Sequence, residues 1–228
     1  MIDDPIYTVS DSDLLEALPD ELRTWMTRAA VASSFAADHL FYAADDDAER
    51  VFVLWSGRVR VYKLSPEGRS LTLLVLEAPA IFGEMALASM PTHDSFAEAM
   101  TACRVGSIRN TDLQDAIARF PGAALRFTTM MSRRLRAMER KLADIAFKSV
   151  AQRLATVLLS LTDSHDTRDA PAVVRYTHQQ LAEMIGSYRE TITKVIGEFR
   201  EQGLIRVEDD AVYLTDLPAL RAIVGVVH

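Results

Sequence analysis

The stretch THQQLAEMIGSYRETITKVIGEFREQGLI, residues 177–205, contains the start signals of two short helices. Thr177 and Gln180 have the spacing of a capping box, in which two side chains satisfy two free backbone N–H groups at a helix start. Ser187 and Glu190 repeat that spacing ten residues later, so we predict a second helix that begins after Ser187. Two helices joined by so short a turn are typical of a helix-turn-helix.

The second of these helices is predicted to have a buried face and a polar N-terminal end. Its apolar residues follow the i, i+3, i+4, i+7 spacing of one helix face and are Ile192, Val195, Ile196 and Phe199. The residues left facing outward are Arg189, Glu190, Thr193 and Lys194. In a DNA major groove, Arg and Lys donate to guanine and Glu accepts from cytosine. The plainer interpretation of Glu190 and Lys194 is a surface ion pair one turn apart.

The segment after these helices strengthens the prediction. LIRVEDDAVYLTD, residues 204–216, has the pattern of a strand, an acidic turn and a second strand. A two-stranded wing after a helix-turn-helix indicates a winged helix, so we predict DNA binding for this half of the chain. Gly186 is expected to end the first helix, because glycine readily adopts the left-handed conformation of a helix C-terminus.

A long helix is predicted upstream, over residues 121–147, with Pro121 in its first turn. The spacing between its apolar residues alternates between four and three positions. These residues are Met131, Leu135, Met138, Leu142 and Ile145. This narrow seam, flanked by charged residues, favours a partner helix and therefore a homodimer. The alternative is a helix that packs on the core of its own domain.

The N-terminal half has a β pattern. Between residues 31 and 108, short apolar runs alternate with turns such as SPEG, residues 65–68. Asn110 is expected to cap a helix that runs to about Phe120. We therefore predict an α+β protein with an N-terminal antiparallel β-barrel of the jelly-roll type, a long helix and a C-terminal winged helix-turn-helix.

Composition and charge are compatible with this arrangement. The chain has 228 residues and a net charge of −7, with 10 basic and 19 acidic side chains in residues 1–120 and 15 and 13 in the remainder. The second half therefore suits a polyanion better than the first. No apolar run approaches the length of a membrane span, and the acidic N-terminus has no signal core, so a cytoplasmic location is expected. The single cysteine, Cys103, is expected to be buried and excludes a four-thiolate iron–sulfur site.

With its parts in this order, the sequence resembles the family of the cyclic-AMP receptor protein and the FNR regulators. The closest matches are FGEMAL (82–87), MSRRLRAMERKLADIAF (131–147) and GSYRETITKVI (186–196). The resemblance implies a cyclic-nucleotide-binding-like sensor domain over 1–120, a dimerisation helix over 121–147 and a DNA-binding domain over 148–228. It also implies double-stranded DNA with an inverted-repeat operator as partner, and RNA polymerase as a further one.

The resemblance assigns roles to residues of the DNA-binding domain. It implies base reading by Arg189, Glu190 and Lys194, the last in place of an arginine. The predicted contacts to the DNA backbone are Thr177, Gln179, Ser187 and Thr193.

The loop GEMALASMPTHDS, residues 83–95, corresponds to the family's nucleotide pocket. Gly83 and Glu84 match the ribose-binding pair and Ser95 matches a phosphate-binding serine, but Asp94 stands where the family has an arginine. The adenine contacts fall on two residues of the long helix, Met138 and Glu139. Because a carboxylate repels a phosphate, we expect no requirement for cyclic AMP. We also expect no other cofactor and no metal. We interpret His93 as a surface loop residue.

Other functional classes remain open at this point. The pocket is expected either to be filled by its own side chains or to take a different small-molecule effector. A cupin-type barrel enzyme would need a cage of several histidines, whereas the barrel half has only His39 and His93, far apart in sequence. A haem sensor would have to use these histidines or Cys103, and nothing in the sequence favours it.

Overall fold

The chain forms two compact units in a computed structural model that describes residues 7–88, 90–162, 172–173, 176–208 and 211–225. The first unit consists of residues 9–64 and 73–136. The second consists of the described residues of 1–8, 65–72 and 137–228.

The described strands and helices follow the predicted order. The strands are β1 Thr8–Val9, β2 Val31–Phe35, β3 Leu40–Tyr42, β4 Arg50–Ser56, β5 Arg58–Leu64, β6 Ser70–Glu77, β7 Ala80–Phe82, β8 Phe96–Ala99, β9 Cys103–Arg109, β10 Ala172–Val173, β11 Ile205–Glu208 and β12 Ala211–Leu214. The helices are α1 Ser12–Glu16, α2 Asp20–Ala29, α3 Asn110–Ala118, α4 Pro121–Phe147, α5 Val150–Thr162, α6 His178–Ile185, α7 Arg189–Glu201 and α8 Leu217–Val224, with a short 3-10 helix at Glu84–Ala88.

The β-rich part consists of two open sheets, not a closed barrel. The five-stranded sheet has the order β1-β6-β5-β8-β3 and the four-stranded sheet the order β2-β9-β4-β7. The pairs β2–β9, β4–β9, β4–β7, β3–β8 and β5–β8 are antiparallel. This is the two-sheet arrangement of a jelly roll, so the predicted fold class is confirmed, with open sheet edges in place of barrel closure.

The core of the first unit brings α1, α2, α3 and the start of α4 together with the four-stranded sheet. Its large buried side chains include Leu22, Met26, Val51, Ile81, Ile108, Leu113 and Phe127. The apolar spacing of each helix buries one stripe of residues, which is the usual way in which a surface helix contributes to a core.

The predicted cap at Asn110 is wrong. The N-cap of α3 is Arg109, and Asn110 is the first helical residue. The Asn110 amide nitrogen donates to the carbonyl oxygens of Ala48 and Ala86 at 3.3 and 3.2 Å. The side chain therefore links the loop at Ala48 to the 3-10 helix at Ala86 instead of accepting a bond from its own helix start.

Helix α4 begins at Pro121 and ends at Phe147, the predicted bounds. Its buried residues repeat with a spacing of three and four and are Ala123, Phe127, Met130, Arg134, Ala137, Lys141 and Asp144. The predicted seam lies beside this stripe, with Leu135 60% and Leu142 69% exposed, Met138 and Ile145 at 37% and 36%, and Met131 packed partly on the core.

The C-terminal part has the predicted winged helix-turn-helix. Strand β11 pairs with β12 in antiparallel register from Ile205–Leu214 to Glu208–Ala211, and β10 adds a third strand beside β12. Helix α8 follows the wing and was not predicted. Residues 163–171 and 174–175 and the acidic turn at 209–210 lie outside the described residues.

Candidate functional site

The start of α6 has the predicted capping box. The Thr177 hydroxyl accepts a hydrogen bond from the Gln180 backbone N–H at 3.1 Å, and the Gln180 side-chain oxygen accepts one from the Thr177 N–H at 2.9 Å. Gly186 ends the helix with φ +66°, the left-handed conformation expected of glycine there. The prediction for the first helix is therefore confirmed at both ends.

The predicted capping box at Ser187 and Glu190 is wrong. The N-cap of α7 is Tyr188, which makes no side-chain capping bond. The Ser187 N–H donates to the Ala182 carbonyl oxygen at 2.9 Å, so Ser187 still belongs to the C-terminal turn of α6. Because the chain has not yet left that turn, the second helix begins one residue later than Ser187 would allow.

An arginine of the β5–β6 hairpin contacts the residue that precedes α7. The Arg69 guanidinium lies 4.2 Å from the centre of the Tyr188 ring and donates to its hydroxyl oxygen at 3.1 Å. Both side chains are exposed. A guanidinium over an aromatic face is a favourable contact that restricts the tyrosine rotamer. Tyr188 is therefore held at the N-terminal end of α7.

The outward face of α7 has the predicted composition. Arg189, Glu190 and Lys194 are exposed, whereas the apolar residues Ile192, Val195, Ile196 and Phe199 are all buried. Lys194 pairs with Glu198 at 3.8 Å and not with Glu190. Both partners of that pair are largely solvent-exposed, so it holds the lysine only weakly. The polar end of α7 is thus available to a groove of nucleic acid.

Two of the residues predicted to contact the DNA backbone have hydrogen-bond partners within their own helices. Gln179 donates to Glu183 at 2.7 Å on α6. Thr193, on α7, donates its hydroxyl proton to the Arg189 carbonyl oxygen at 3.0 Å. His178, which the sequence analysis missed, joins the two helices through a 2.9 Å contact between its Nδ1 and the Thr193 hydroxyl. Its position between Thr177 and Gln179 was the available signal.

The loop that matches the nucleotide pocket begins with a turn that requires glycine. Gly83 has φ +76°, and a Cβ atom there would lie 2.9 Å from the Arg50 carbonyl oxygen and 3.0 Å from the Phe52 ring. Side chains rarely adopt that backbone conformation, and the close neighbours leave no room for one. Gly83 therefore has a structural role regardless of any ligand.

Glu84, the next residue, is engaged by a buried arginine. Arg134 of α4 pairs with Glu84 at 3.0 Å and with Asp11 at 2.8 Å, and donates to the Ile81 carbonyl oxygen. Burial disfavours the charge of Arg134, but the two carboxylates outweigh burial and keep its pKa raised. Arg134 was not among the residues predicted from the sequence, although its place in the buried stripe of α4 follows the heptad spacing.

The end of the loop differs from the prediction at His93. His93 is only 3% exposed, and its ring stacks on Tyr42 with 3.7 Å between the ring centres. Burial lowers the pKa of His93 and raises that of Tyr42. The interpretation of His93 as a surface residue is therefore wrong, because the flat aromatic surface of Tyr42 gives the imidazole a buried partner.

The two residues after His93 face different environments. The carboxylate of Asp94 is exposed and pairs with Lys63 at 3.2 Å, whereas Ser95 is buried. The remaining pocket residues of the prediction, Met138 and Glu139, are exposed on α4. The charge at the predicted phosphate position is therefore negative and already has a cationic neighbour.

The cysteine and the histidine that a haem or metal site would use, Cys103 and His39, are engaged within the fold. Cys103 is buried, as predicted, and burial raises the pKa of its thiol. His39 stacks on Phe35 at the sheet edge. The described residues include no group of three or more His, Cys, Asp or Glu that could hold a metal ion. None of the described helices combines the length and the apolarity that crossing a bilayer demands.

Comparisons with known proteins agree with this architecture. The cyclic nucleotide-binding domain model matches residues 32–120, and the Crp-like helix-turn-helix domain model matches residues 152–223. The chain is 29% identical over 195 residues to the CRP-like cAMP-activated global transcriptional regulator of Mycobacterium tuberculosis, covering 84% of this chain and 87% of that protein. It is 32% identical to the transcriptional regulator LdrP of Thermus thermophilus over 193 residues, 84% of this chain and 95% of LdrP.

A solved structure is similar as well. The crystal structure of a CRP-family transcriptional regulator from Thermus thermophilus superposes with a TM-score of 0.73 at 30% identity. The match covers 85% of this chain and 97% of the other.

Proposed function

Because this chain belongs to the CRP/FNR family of transcriptional regulators, we propose that it is a homodimeric regulator that binds an inverted-repeat DNA operator without a requirement for cyclic AMP. The observation that carries the proposal is the exposed N-terminal end of α7. There Arg189, Glu190 and Lys194 face solvent above a fully buried apolar stripe. Such an end can enter a major groove while the stripe keeps the helix on its domain.

Base reading is proposed for these three residues and backbone contact for four others. Arg189 and Lys194 would donate to guanine, and Glu190 would accept from cytosine. The proposed backbone contacts are Thr177, Gln179, Ser187 and Thr193. Ser187 is still proposed as a backbone contact because it lies in the turn before α7 and its hydroxyl is not used to cap that helix.

The exposed seam of α4 supports a homodimer. Leu135 and Leu142 expose more than half of their surface, and a second copy of α4 would cover them. The two recognition helices of such a dimer would read half-sites about 10 base pairs apart, which is one turn of DNA. RNA polymerase and a cytoplasmic location follow as further proposals from the role in transcription.

The independence from cyclic AMP rests on two contacts of the sensor domain. Arg134 already pairs with Glu84, the residue that matches the family's ribose contact. At the position that matches the phosphate contact, Asp94 presents a carboxylate that would repel the anion. Of the matched residues, Glu84 is therefore already engaged and Asp94 has the wrong charge.

A second candidate function is regulation by a different small molecule. His93 Nδ1 and Arg134 Nε are buried, and neither has a hydrogen-bond partner among the described residues. Buried polar atoms are normally satisfied, so each of these two favours an ordered water or a polar ligand atom beside it. An operator affinity that rises when a metabolite extract is added would select this candidate over a ligand-independent regulator.

The experiment that tests the main proposal compares two variants in a selection from random duplexes. Arg189→Ala is expected to cost about 1–3 kcal/mol at the selected site and to relax the preference at one guanine per half-site. Gln179→Ala is the matched control, because a lost backbone contact weakens all sequences alike. If Arg189→Ala kept the wild-type base preference, α7 would not be the recognition helix.

A further inference from the structure

The tip of the β5–β6 hairpin, residues 65–72, belongs to the same compact unit as α6 and α7. It contacts the turn between those two helices. The Arg69 guanidinium lies 4.2 Å from the centre of the Tyr188 ring and donates to its hydroxyl oxygen at 3.1 Å. The Cδ1 atom of Leu71 lies 3.3 Å from the place where a Cβ atom on Gly186 would stand. The hairpin tip therefore packs on both ends of the turn.

The hairpin tip is itself ordered by hydrogen bonds. The Ser65 backbone N–H donates to the Arg69 carbonyl oxygen at 2.8 Å, and the Arg69 N–H donates to the Ser65 hydroxyl oxygen at 3.2 Å. The Gly68 N–H donates to the Ser65 carbonyl oxygen at 2.9 Å. At the other end of the tip, the Thr72 carbonyl oxygen accepts from Lys141 of α4. Arg69 therefore projects from a closed and anchored turn, so little backbone freedom is lost in its contact with Tyr188.

Tyr188 is the residue from which α7 starts. It is the N-cap of that helix, and its side chain makes no capping hydrogen bond. A helix start without a side-chain cap is less stable than a capped one. The Tyr188 side chain is also 58% exposed, so little packing restrains it. The contact from Arg69 therefore restrains a helix start that lacks the usual local restraint.

The two residues that follow Tyr188 are the proposed base readers Arg189 and Glu190. Hydrogen bonds to base edges depend on the direction in which the first turn of α7 projects these side chains. We propose that Arg69 is a positioning residue for base recognition, which acts through Tyr188 to hold the first turn of α7 in the orientation that reads the operator. The inference rests on the proposed function, since it needs α7 to be the recognition helix.

The size of the effect follows from the population of the competent orientation. When the contact is lost, operator affinity falls in proportion to the fraction of the protein whose first turn is aligned. A guanidinium on an exposed aromatic ring shifts such an equilibrium by about two- to fivefold. Non-specific binding depends on charge along the phosphate backbone and not on the alignment of base-reading side chains. Arg69 therefore acts on the ratio of specific to non-specific affinity.

The test measures affinity for the selected operator and for a scrambled duplex by fluorescence anisotropy. Arg69→Ala is expected to lower operator affinity about two- to fivefold per protomer relative to the scrambled duplex. Its slope of log affinity against log salt is expected to stay that of the wild type, because a positioning residue releases no counterion. Arg28→Ala is the matched control, because Arg28 is an exposed arginine in the last turn of α2 and its loss changes the net charge equally. This control is expected to keep the wild-type ratio of the two affinities.

Variants of Tyr188 test whether Arg69 acts through the ring. Tyr188→Phe keeps the ring and loses the hydroxyl, so it is expected to keep most of the specific affinity. Tyr188→Leu removes the ring and is expected to lower operator affinity as much as Arg69→Ala does. The double variant is expected to bind no more weakly than Tyr188→Leu alone, because both changes remove the same contact.

Hydrogen exchange of the free protein measures the positioning without DNA. The Ile192 N–H donates to the Tyr188 carbonyl oxygen at 3.1 Å, so its exchange reports on the start of α7. In Arg69→Ala this amide is expected to exchange about two- to fivefold faster, because the restraint on Tyr188 is lost. The amides from Val195 onward are expected to keep their wild-type rates.

The outcomes distinguish the inference from the function on which it rests. In a wild type that selects an operator, an unchanged affinity ratio or an unchanged Ile192 exchange rate in Arg69→Ala would overturn the inference alone. Weaker binding of every duplex, with a salt slope lower by about 0.9, would also overturn it, because Arg69 would then contact a phosphate directly. Failure of the wild type to select any sequence would overturn the proposed function, and the inference with it.

Discussion

At the residue scale, Lys141 is a buried cation on α4. It is 5% exposed, donates to the Thr72 carbonyl oxygen and lies 5.0 Å from the centre of the Tyr7 ring. Burial lowers its pKa to about 7. The carbonyl oxygen and the ring both favour the charged form of Lys141. Burial favours the neutral form and outweighs the two contacts, so the pKa is lowered.

The pKa of Lys141 predicts a stability that depends on pH. An unfolded lysine titrates near 10.4, so between pH 7 and about 10 the unfolded chain binds more protons than the folded protein. The free energy of unfolding is therefore expected to rise with pH through this range. Below pH 7 both states are protonated, and the fold carries the full cost of a buried charge.

Replacement of Lys141 tests this prediction in urea denaturation at several pH values. Lys141→Met keeps the length of the side chain and removes the charge, so the rise between about pH 7 and 10 should largely disappear. Lys194→Met is the control, because the Lys194 side chain is 78% exposed and its loss should keep the wild-type slope. An unchanged slope in Lys141→Met would show that burial does not perturb this lysine.

Single residues differ in how far sequence could predict them. The turn at Gly83 was predictable, because a glycine before a helical turn signals a backbone that other residues rarely adopt. His93 was not, since its burial depends on Tyr42, about fifty residues away in sequence and adjacent only in the fold. Arg134 was missed because an arginine beside an apolar heptad seam is normally expected to be a solvent-exposed charge, whereas this one is buried and paired with Asp11.

At the element scale, helix α4 presents two different stripes. One stripe, from Ala123 to Asp144, is buried within the chain, and the other exposes Leu135 and Leu142. A long helix with an exposed apolar stripe favours a partner, and another copy of the same helix is self-complementary under two-fold symmetry. The proposal of a homodimer therefore depends on this second stripe.

A charge in the exposed stripe should separate the protomers. Leu135→Glu would place two carboxylates near the two-fold axis and remove both from water, so monomers are expected at micromolar concentration. Arg136→Glu is the control, because the next residue points about 100° away around the helix. Sedimentation velocity measures both, and a Leu135→Glu protein that stayed dimeric would exclude this seam.

Element boundaries were predictable where one local signal decided them. Thr177, Gln180 and Gly186 bound α6 as expected, because a capping box and a left-handed glycine act within a few residues. The start of α7 was not predictable in the same way. Its apparent cap, Ser187, still donates its backbone N–H to the end of the preceding helix. The end signal of α6 and the start signal of α7 therefore overlap at this one residue.

At the scale of the whole molecule, the first 120 residues and the rest of the chain differ in charge. The first 120 residues have 19 acidic and 10 basic side chains, whereas the rest have 13 and 15. The order of the elements and their pattern were sufficient to predict the family. The state of the nucleotide pocket was only partly predictable, since Asp94 is visible in the sequence but the pairing of Glu84 with Arg134 is a long-range contact.

The last prediction concerns the response of the whole protein to cyclic AMP. A ligand shifts an equilibrium only by its difference in affinity for two states, so weak binding to both changes nothing. With a carboxylate at the phosphate position and Glu84 already paired, calorimetry with cyclic AMP is expected to show weak binding or none. The ligand-free protein should therefore already hold its operator.

Replacement of Asp94 tests which group excludes the nucleotide. Asp94→Arg removes a repulsion and adds planar donors for a phosphate, so affinity for cyclic AMP should rise measurably. It should stay below that of a cyclic-AMP-dependent regulator, because Met138 and Glu139 still occupy the positions that match the adenine contacts. Asp94→Arg also removes the ion pair between Asp94 and Lys63 and places the new arginine near that lysine. Lys63→Met, which has a neutral side chain, is therefore the control for loss of the ion pair alone. Tight binding of cyclic AMP by the wild type, accompanied by a large gain in operator affinity, would show that the carboxylate of Asp94 does not exclude the nucleotide.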